Sequence, residues 1–183
     1  MELKLYSARP EAGTRDSAEE RCYDALDALG IAYMRADHEA LYTMEACIAV
    51  DQALEATMCK NLMLCNRQQT EFYLLIMPGN KPFKTKYLSA QLGCSRLSFG
   101  SEEHLAAYLG VTPGSASILG LLHDKEHKVR LIMDTDLRGE TWFACHPCRN
   151  TSTLKLRFED VLTKLLPSVN YELTWVELPA EME

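Results

Sequence analysis

Between positions 16 and 29 the apolar residues Cys22, Ala25, Leu26 and Leu29 recur at i, i+3, i+4 and i+7, the repeat of one helical face. Asp16 or Ser17 can cap the first turn and Gly30 stops the last, so the pattern predicts an amphipathic helix. Residues 31–36 read as a short strand, followed by a His-Glu-Ala loop and a second helical pattern over about 44–54. CKNLMLCN (59–66) and EFYLLIM (71–77) are apolar runs of strand length. The four residues between them predict a hairpin, and Pro78-Gly79-Asn80 ends its second strand. A helix is expected over 83–92, a short strand over 96–99, and a capped helix over 101–109 with Glu102 and Glu103 in its first turn. Beyond the turn-rich VTPGSAS, strands are expected at 120–124, 128–134, 140–146 and 151–157. A last helix starts at 158 and ends before Pro167, and 171–178 closes the chain as a strand.

That order gives about eight strands and five helices, irregularly interleaved, with several consecutive strands joined by turns too short for parallel crossovers. The fold class is therefore α+β: a mixed, largely antiparallel sheet that curls, or closes into a barrel, with helices on its flanks. No repeat and no linker divides the chain, so residues 16–183 read as a single domain behind an N-terminal extension, 1–15. At 183 residues and 47% hydrophobic content an enclosed core forms readily, and disordered and collagen-like classes are excluded. No apolar run approaches the ~20 residues of a membrane helix, and the N-terminus lacks the apolar stretch of a secretion signal. Seven cysteines, an odd number without framework spacing, suit a reducing compartment. A soluble, cytoplasmic protein is expected.

The net charge of −7 argues against a surface that coats nucleic acid, but it averages over an uneven distribution. Residues 1–59 hold 5 basic and 12 acidic side chains, residues 60–157 hold 13 and 8, and residues 158–183 hold 1 and 6. The middle segment is thus positive between two negative ends, a pattern equally open to solvated surface charge and to a grip on one short piece of nucleic acid.

Candidate chemistry begins with Cys145-His146-Pro147-Cys148 after an aromatic strand. A redox dithiol of the thioredoxin type needs a helix after its first cysteine to lower the thiol pKa, and here the sequel is an alternating strand pattern. A structural zinc site needs a second ligand pair, which neither the other cysteines nor His123 and His127 supply, so no metal is expected. No Gly-x-Ser-x-Gly turn and no Gly-rich phosphate loop occurs. Alternation places Lys60 on the strand face of Leu62 and Leu64, where a lysine serves a site or snorkels to water. His146 at a strand end and Asn150 in a turn are open to structural and functional readings alike.

Taken together, CKNLML (59–64), PGNK (78–81), RLSFGSEEHLAAYLGVTPGSASILGLLHD (96–124), KVRLIMD (128–134) and HPCRNTSTLKL (146–156) resemble the YbaK/ProX family of stand-alone aminoacyl-tRNA editing domains. The resemblance runs in order from about residue 18 to 178 and is strongest to the ProX branch. It implies hydrolysis of alanine wrongly attached to tRNA(Pro), without a cofactor. The implied partners are the acceptor end of the tRNA and, transiently, prolyl-tRNA synthetase, with no DNA and no membrane. A tRNA-end binding or sensing module without turnover is the alternative. By the same resemblance Lys60 is the family's hallmark lysine, Asn61 belongs to its motif, and His146 and Asn150 stand in the His-Pro-x-x-Asn positions. The loop from Gly114 to Gly120 corresponds to the family's pocket loop, with Ile118 where members usually carry proline.

An aminoacyl ester is already activated, so the reaction needs a placed water and a stabilised oxyanion rather than a protein nucleophile. Lysine, with an ordinary pKa of about 10.4, suits charge stabilisation better than base catalysis. The family is thought to take its proton handler from a ribose hydroxyl of the tRNA. Rejection of proline should come from a pocket too small for its ring, walled by Tyr42, Met44, Leu62 and Ile118. Lys81, Lys84, Lys86, Arg96, Lys128 and Arg130 are candidate contacts to tRNA phosphates.

Overall fold

Chain order begins with a short strand β1 (Lys4–Tyr6) and helix α1 (Ser17–Ala28), in a computed structural model that describes residues 3–57 and 59–181. Asp16 caps α1 by accepting the Glu19 N–H at 3.0 Å, and Glu19 and Glu20 meet the positive end of the helix dipole. Strand β2 (Tyr33–Asp37) leads to α2 (Met44–Leu54), whose first turn is capped by the Thr43 hydroxyl accepting from Ala46 N–H at 3.2 Å. The hairpin of β3 (Cys59–Cys65) and β4 (Phe72–Pro78) forms as its spacing predicts, followed by α3 (Thr85–Leu92) and β5 (Ser98–Phe99). Helix α4 (Glu102–His104) runs into a π-helical turn (Leu105–Leu109) that stops at Gly110. After a 3-10 turn (Ile118–Leu122) come β6 (Val129–Asp134), β7 (Trp142–Cys145) and β8 (Ser152–Arg157). Helix α5 (Phe158–Asp160), a π-helical turn (Val161–Leu165) and α6 (Leu166–Ser168) precede the last strand, β9 (Leu173–Val176).

Among the described residues the strands form two sheets and close no barrel. The four-stranded sheet, in the order β1-β2-β8-β7, is antiparallel throughout. The five-stranded sheet, β5-β3-β4-β6-β9, is antiparallel from β5 to β4 and parallel across β4-β6 and β6-β9. Its central strand β4 reads FYLLIMP because both of its faces are covered. On one face Leu74, Ile76, Leu131 and Met133 join the main core with α1 and the four-stranded sheet; on the other Leu64, Leu75, Met77 and Ile132 pack beneath Leu88 of α3. A single parallel bridge, Thr57 to Phe143, links the sheets beside the start of β3.

Three expectations change. The apolar run at 120–124 is no strand, because Ser117 accepts the Leu119 N–H and starts a 3-10 turn that buries Ile118, Leu119 and Leu121 together. A short apolar run has no period long enough to separate those outcomes. Pro167 does not end the last helix; it is the second residue of α6, directly after the π-helical turn. Residues 4–6 pair with β2 as β1, in register Lys4 to Asp37. Among the described residues no helix is long and apolar enough to cross a membrane.

Lys81, expected on a phosphate-binding surface, is buried. It follows the Pro78-Gly79-Asn80 turn at the end of β4, and its Nζ donates to Asp134 at 2.8 Å and to Asp136 at 2.9 Å. Burial lowers the lysine pKa, but the bonds to the two carboxylates outweigh it and hold the ammonium above its ordinary value. A buried charge left without its partner is strongly destabilising. Asp134→Asn is therefore expected to cost about 3 kcal/mol, the half-exposed Asp136 remaining as partial compensation, and urea denaturation followed by circular dichroism would reveal it as an earlier midpoint. An unchanged midpoint would mean that Lys81 does not depend on Asp134.

Candidate functional site

Strand β3 pairs with β4 along its whole length, but on its other edge β5 reaches only Leu64 and Cys65. The first half of that edge therefore faces the end of β7 across a gap between the two sheets. Helix α2 roofs the gap, because Val50 and Leu54, beside the stripe that meets the gap, anchor it against Ala36 of β2. Met44, Cys47 and Asp51, at i, i+3 and i+7, turn toward the gap. The result is a cavity of about 100 Å³, well below the roughly 300–1,000 Å³ of pockets for drug-sized ligands.

The end of β3 contributes Lys60 and Asn61. Lys60 donates from Nζ to the Lys81 carbonyl at 2.6 Å, so the turn pinned by the Lys81–Asp134 pair also fixes the lysine head. Two of its three ammonium protons remain for a ligand. The Asn61 Oδ1 is buried with no hydrogen-bond partner among the described residues, as is Asn150 Oδ1 elsewhere.

His146 enters from the end of β7. Its Nδ1 lies 2.8 Å from the Ser152 carbonyl, which can only accept, so the proton sits on Nδ1 and Nε2 keeps a lone pair. Burial lowers the His146 pKa against the opposing effect of that bond, which favours the neutral ring. Behind it stands a residue that sequence reasoning missed. His38 has Nδ1 2.8 Å from the Glu39 carbonyl and accepts at Nε2 from the Thr153 hydroxyl, also at 2.8 Å. Thr153 itself lines the cavity, so His38 orients one wall.

Asp51 was missed as well. Burial pushes its carboxyl up to about 7, and the thiols beside it are shifted the same way: Cys59 up to about 12, Cys47 and Cys145 upward. The sequence did carry a signal, one acid in the otherwise apolar stripe of Met44 and Cys47. Protonated thiols of this kind are poor nucleophiles. Cys148 lies in the loop before β8, not at a helix, and its Sγ is 3.5 Å from Cys22 Sγ, both thiols being free. Among the described residues no group of three or more histidines, cysteines and carboxylates is placed to hold a metal.

Of the other residues singled out from sequence, Met44 and Cys145 join Lys60, Asn61 and His146 in the cavity wall. Tyr42 is 89% exposed and lies at a separate cleft with Asn150. Asn150 acts at one remove: its Nδ2 donates to the Leu41 carbonyl at 2.8 Å, and Leu41 is a wall of the cavity. Ile118 is enclosed in the main core and Leu62 packs with the cluster beneath α3. Gly120 serves close packing, since a Cβ there would stand 2.9 Å from Leu109 Cβ and 3.0 Å from its carbonyl oxygen. The basic residues divide. Lys84, Lys86 and Arg96 surround an open groove with Phe83 and Phe99, the last 61% exposed. Lys128 and Arg130 begin β6 at the far end of the sheet, where Arg130 is level with Tyr73 while Lys60 is level with Met77. Four residues of β4 separate those levels, about 13 Å.

The paired sheets and their cleft define an α+β domain of a known architecture. A solved structure of a candidate trans-editing enzyme for prolyl-tRNA synthetase superposes with a TM-score of 0.62 at 14% identity, over 91% of this chain and 100% of that one. Residues 38–164 match the family model of the aminoacyl-tRNA editing domain, and the chain belongs to that family. It is 33% identical over 136 residues to the prolyl-tRNA editing protein ProX of Acetoanaerobium sticklandii, spanning 74% of this chain and 83% of that protein. Against the prolyl-tRNA synthetase associated domain-containing protein 1 of Danio rerio it is 29% identical over 128 residues, 69% of each chain.

The raised carboxyl of Asp51 sets a pH dependence with a definite sign. The folded state holds that proton up to about pH 7, whereas an unfolded chain releases it near an ordinary value of about 3.9. Stability therefore falls as pH rises from about 4 through 7, and the penalty is complete above 7. Asp51→Asn removes the penalty: its melting temperature should exceed the wild type's at pH 8, with the gap closing toward pH 4. A gap independent of pH in thermal melts would contradict the assignment.

Proposed function

We propose that the chain is an aminoacyl-tRNA deacylase that removes a small amino acid, alanine in the first place, from mischarged tRNA(Pro). The observation that carries this reading is the small cavity with Lys60 fixed at its edge beside Asn61 and His146. Water attacks the ester carbonyl, the bond from carbonyl carbon to ribose oxygen breaks, and the ribose hydroxyl leaves with a proton. The free protons of the Lys60 ammonium suit the oxyanion that develops in that step. The lone pair on His146 Nε2 can receive a hydrogen bond from the attacking water or from a ribose hydroxyl of the tRNA.

A volume of about 100 Å³ favours a methyl side chain over the proline ring. Its walls are Leu41, Met44, Cys59, Ala144 and Cys145, of which Met44 belongs to the set expected from sequence. The groove of Lys84, Lys86 and Arg96 offers cations for phosphates, and Phe83 and Phe99 offer faces for unpaired bases. The relatives' names support tRNA as the substrate carrier and prolyl-tRNA synthetase as the enzyme whose errors are corrected.

The decisive measurement is deacylation of alanyl-, prolyl- and cysteinyl-tRNA(Pro) by wild type and Lys60→Ala. Loss of alanine alone is expected, slowed about 100-fold or more by the substitution; no hydrolysis of any ester with tRNA still bound would make the protein a binding module. Met44→Ala enlarges the pocket and should admit prolyl-tRNA, so continued resistance to hydrolysis would exclude Met44 from the sieve. Replacing Lys84, Lys86 and Arg96 together by alanine should weaken tRNA binding and reduce its salt slope by about 2 to 3. The pair Lys128→Ala and Arg130→Ala should leave both unchanged, and an equal effect from the two sets would move the interface.

A further inference from the structure

Among the described residues that line the cavity, Asp51 is the one carboxylate, and it takes no part in the hydrolysis as drawn above. Its surroundings do little to hold a charge. Cys47 faces it from its own helix, Cys59 and Lys60 from β3, and Cys145 and His146 from β7. Glu55 and Glu140 lie on its outer side, where a second cleft adjoins. The Lys60 ammonium makes one bond, to the Lys81 carbonyl, and none to Asp51, and among the described residues no group donates a hydrogen bond to the Asp51 carboxylate. An apolar residue in the same stripe of α2 would fill this wall without the penalty of a desolvated carboxyl. Natural chains carry such a penalty mainly where function needs the group.

The cavity's size says what the group can meet. An aminoacyl ester carries its α-ammonium one carbon from the carbonyl that reacts beside Lys60. In a space of about 100 Å³ that cation has few places to go, and the carboxylate in the wall is its natural partner. We infer that Asp51 receives the α-ammonium of the bound aminoacyl group, and so makes the cavity selective for esters of free α-amino acids over N-acylated or α-hydroxy acyl esters. This rests on the reading of the cavity as an aminoacyl-ester site. A ligand with a hydroxyl in place of the ammonium brings no charge to Asp51 and gains no ion pair. One with an ammonium draws the carboxyl into its charged form.

The test measures binding rather than turnover, so that its failure is separate from failure of the deacylase reading. The probes are the non-hydrolysable 3′-amides of alanyl- and lactyl-adenosine, which differ only in ammonium against hydroxyl, titrated into wild type and Asp51→Asn. Wild type at pH 7.5 should prefer the alanyl amide about 30-fold or more, and the preference should fall to within about 3-fold in the variant. Because the α-ammonium stays charged below about pH 8, the wild-type preference should also shrink by pH 5.5, where Asp51 is protonated. The ratio of the two ligands cancels titrations that affect both alike, and it needs no folded variant. An undiminished preference in Asp51→Asn, or no preference in wild type, overturns the assignment even if alanyl-tRNA is hydrolysed. The predicted preference without any hydrolysis of alanyl-tRNA by wild type upholds the ammonium site and removes the deacylase reading.

Discussion

The buried pair between Lys81 and Asp134 is the constraint from which the site follows. Asp134 ends β6 and Lys81 ends the turn after β4, so the pair ties together two neighbouring strand ends that have no further ladder bonds to share. Such a pair is a weak source of stability, because desolvation consumes most of its attraction. Its effect is positional. With the side chain held from below, the Lys81 carbonyl is fixed in space, and that carbonyl holds Lys60. A flexible lysine of many rotamers becomes an ammonium at one place, which is what electrostatic stabilisation of a transition state requires.

The cavity itself exists because two sheets fail to merge. A continuous sheet would have paired the first half of β3 and left no room beside it. Instead, among the described residues, backbone pairing between the sheets is reduced to the bridge at Thr57 and Phe143, and the strand edge beyond it is left to a helix and to side chains. Several polar groups there are less than fully satisfied: the Asn61 oxygen has no partner and Asp51 stands in a mostly apolar wall. Asp124, by contrast, accepts from Lys128 N–H, Val129 N–H and the Tyr171 hydroxyl.

Much of the fold was legible along the chain. Helices α1 and α2 lie where periodicity and caps place them, and the β3-β4 hairpin follows from two apolar runs and a four-residue turn. Lys60, Asn61 and His146 were legible as a set only through family resemblance, since each taken singly has an ordinary structural reading. The expected residues that lie outside the cavity have something in common. Tyr42, Leu62, Ile118 and Gly120 lie close in sequence to site residues or within the family's pocket loop, yet chain proximity says nothing of which side of a sheet or turn a residue occupies. Leu62 shares the Lys60 face of β3 but sits further along it, in the cluster beneath α3, and Ile118 is drawn into the core by a 3-10 turn.

By itself the sequence determined the elements, their order and the α+β class, because helix and strand periods, caps and turn residues are local properties within a few residues of one another. The tertiary structure alone decided which charges are free and which are spent. Lys81 and Lys84 are three positions apart and equally basic on paper, yet one is neutralised inside the protein and the other borders an open groove. Asp51 became a group of the site for the same reason. Burial and partners set the state of a charge, and both depend on residues brought together from distant parts of the chain.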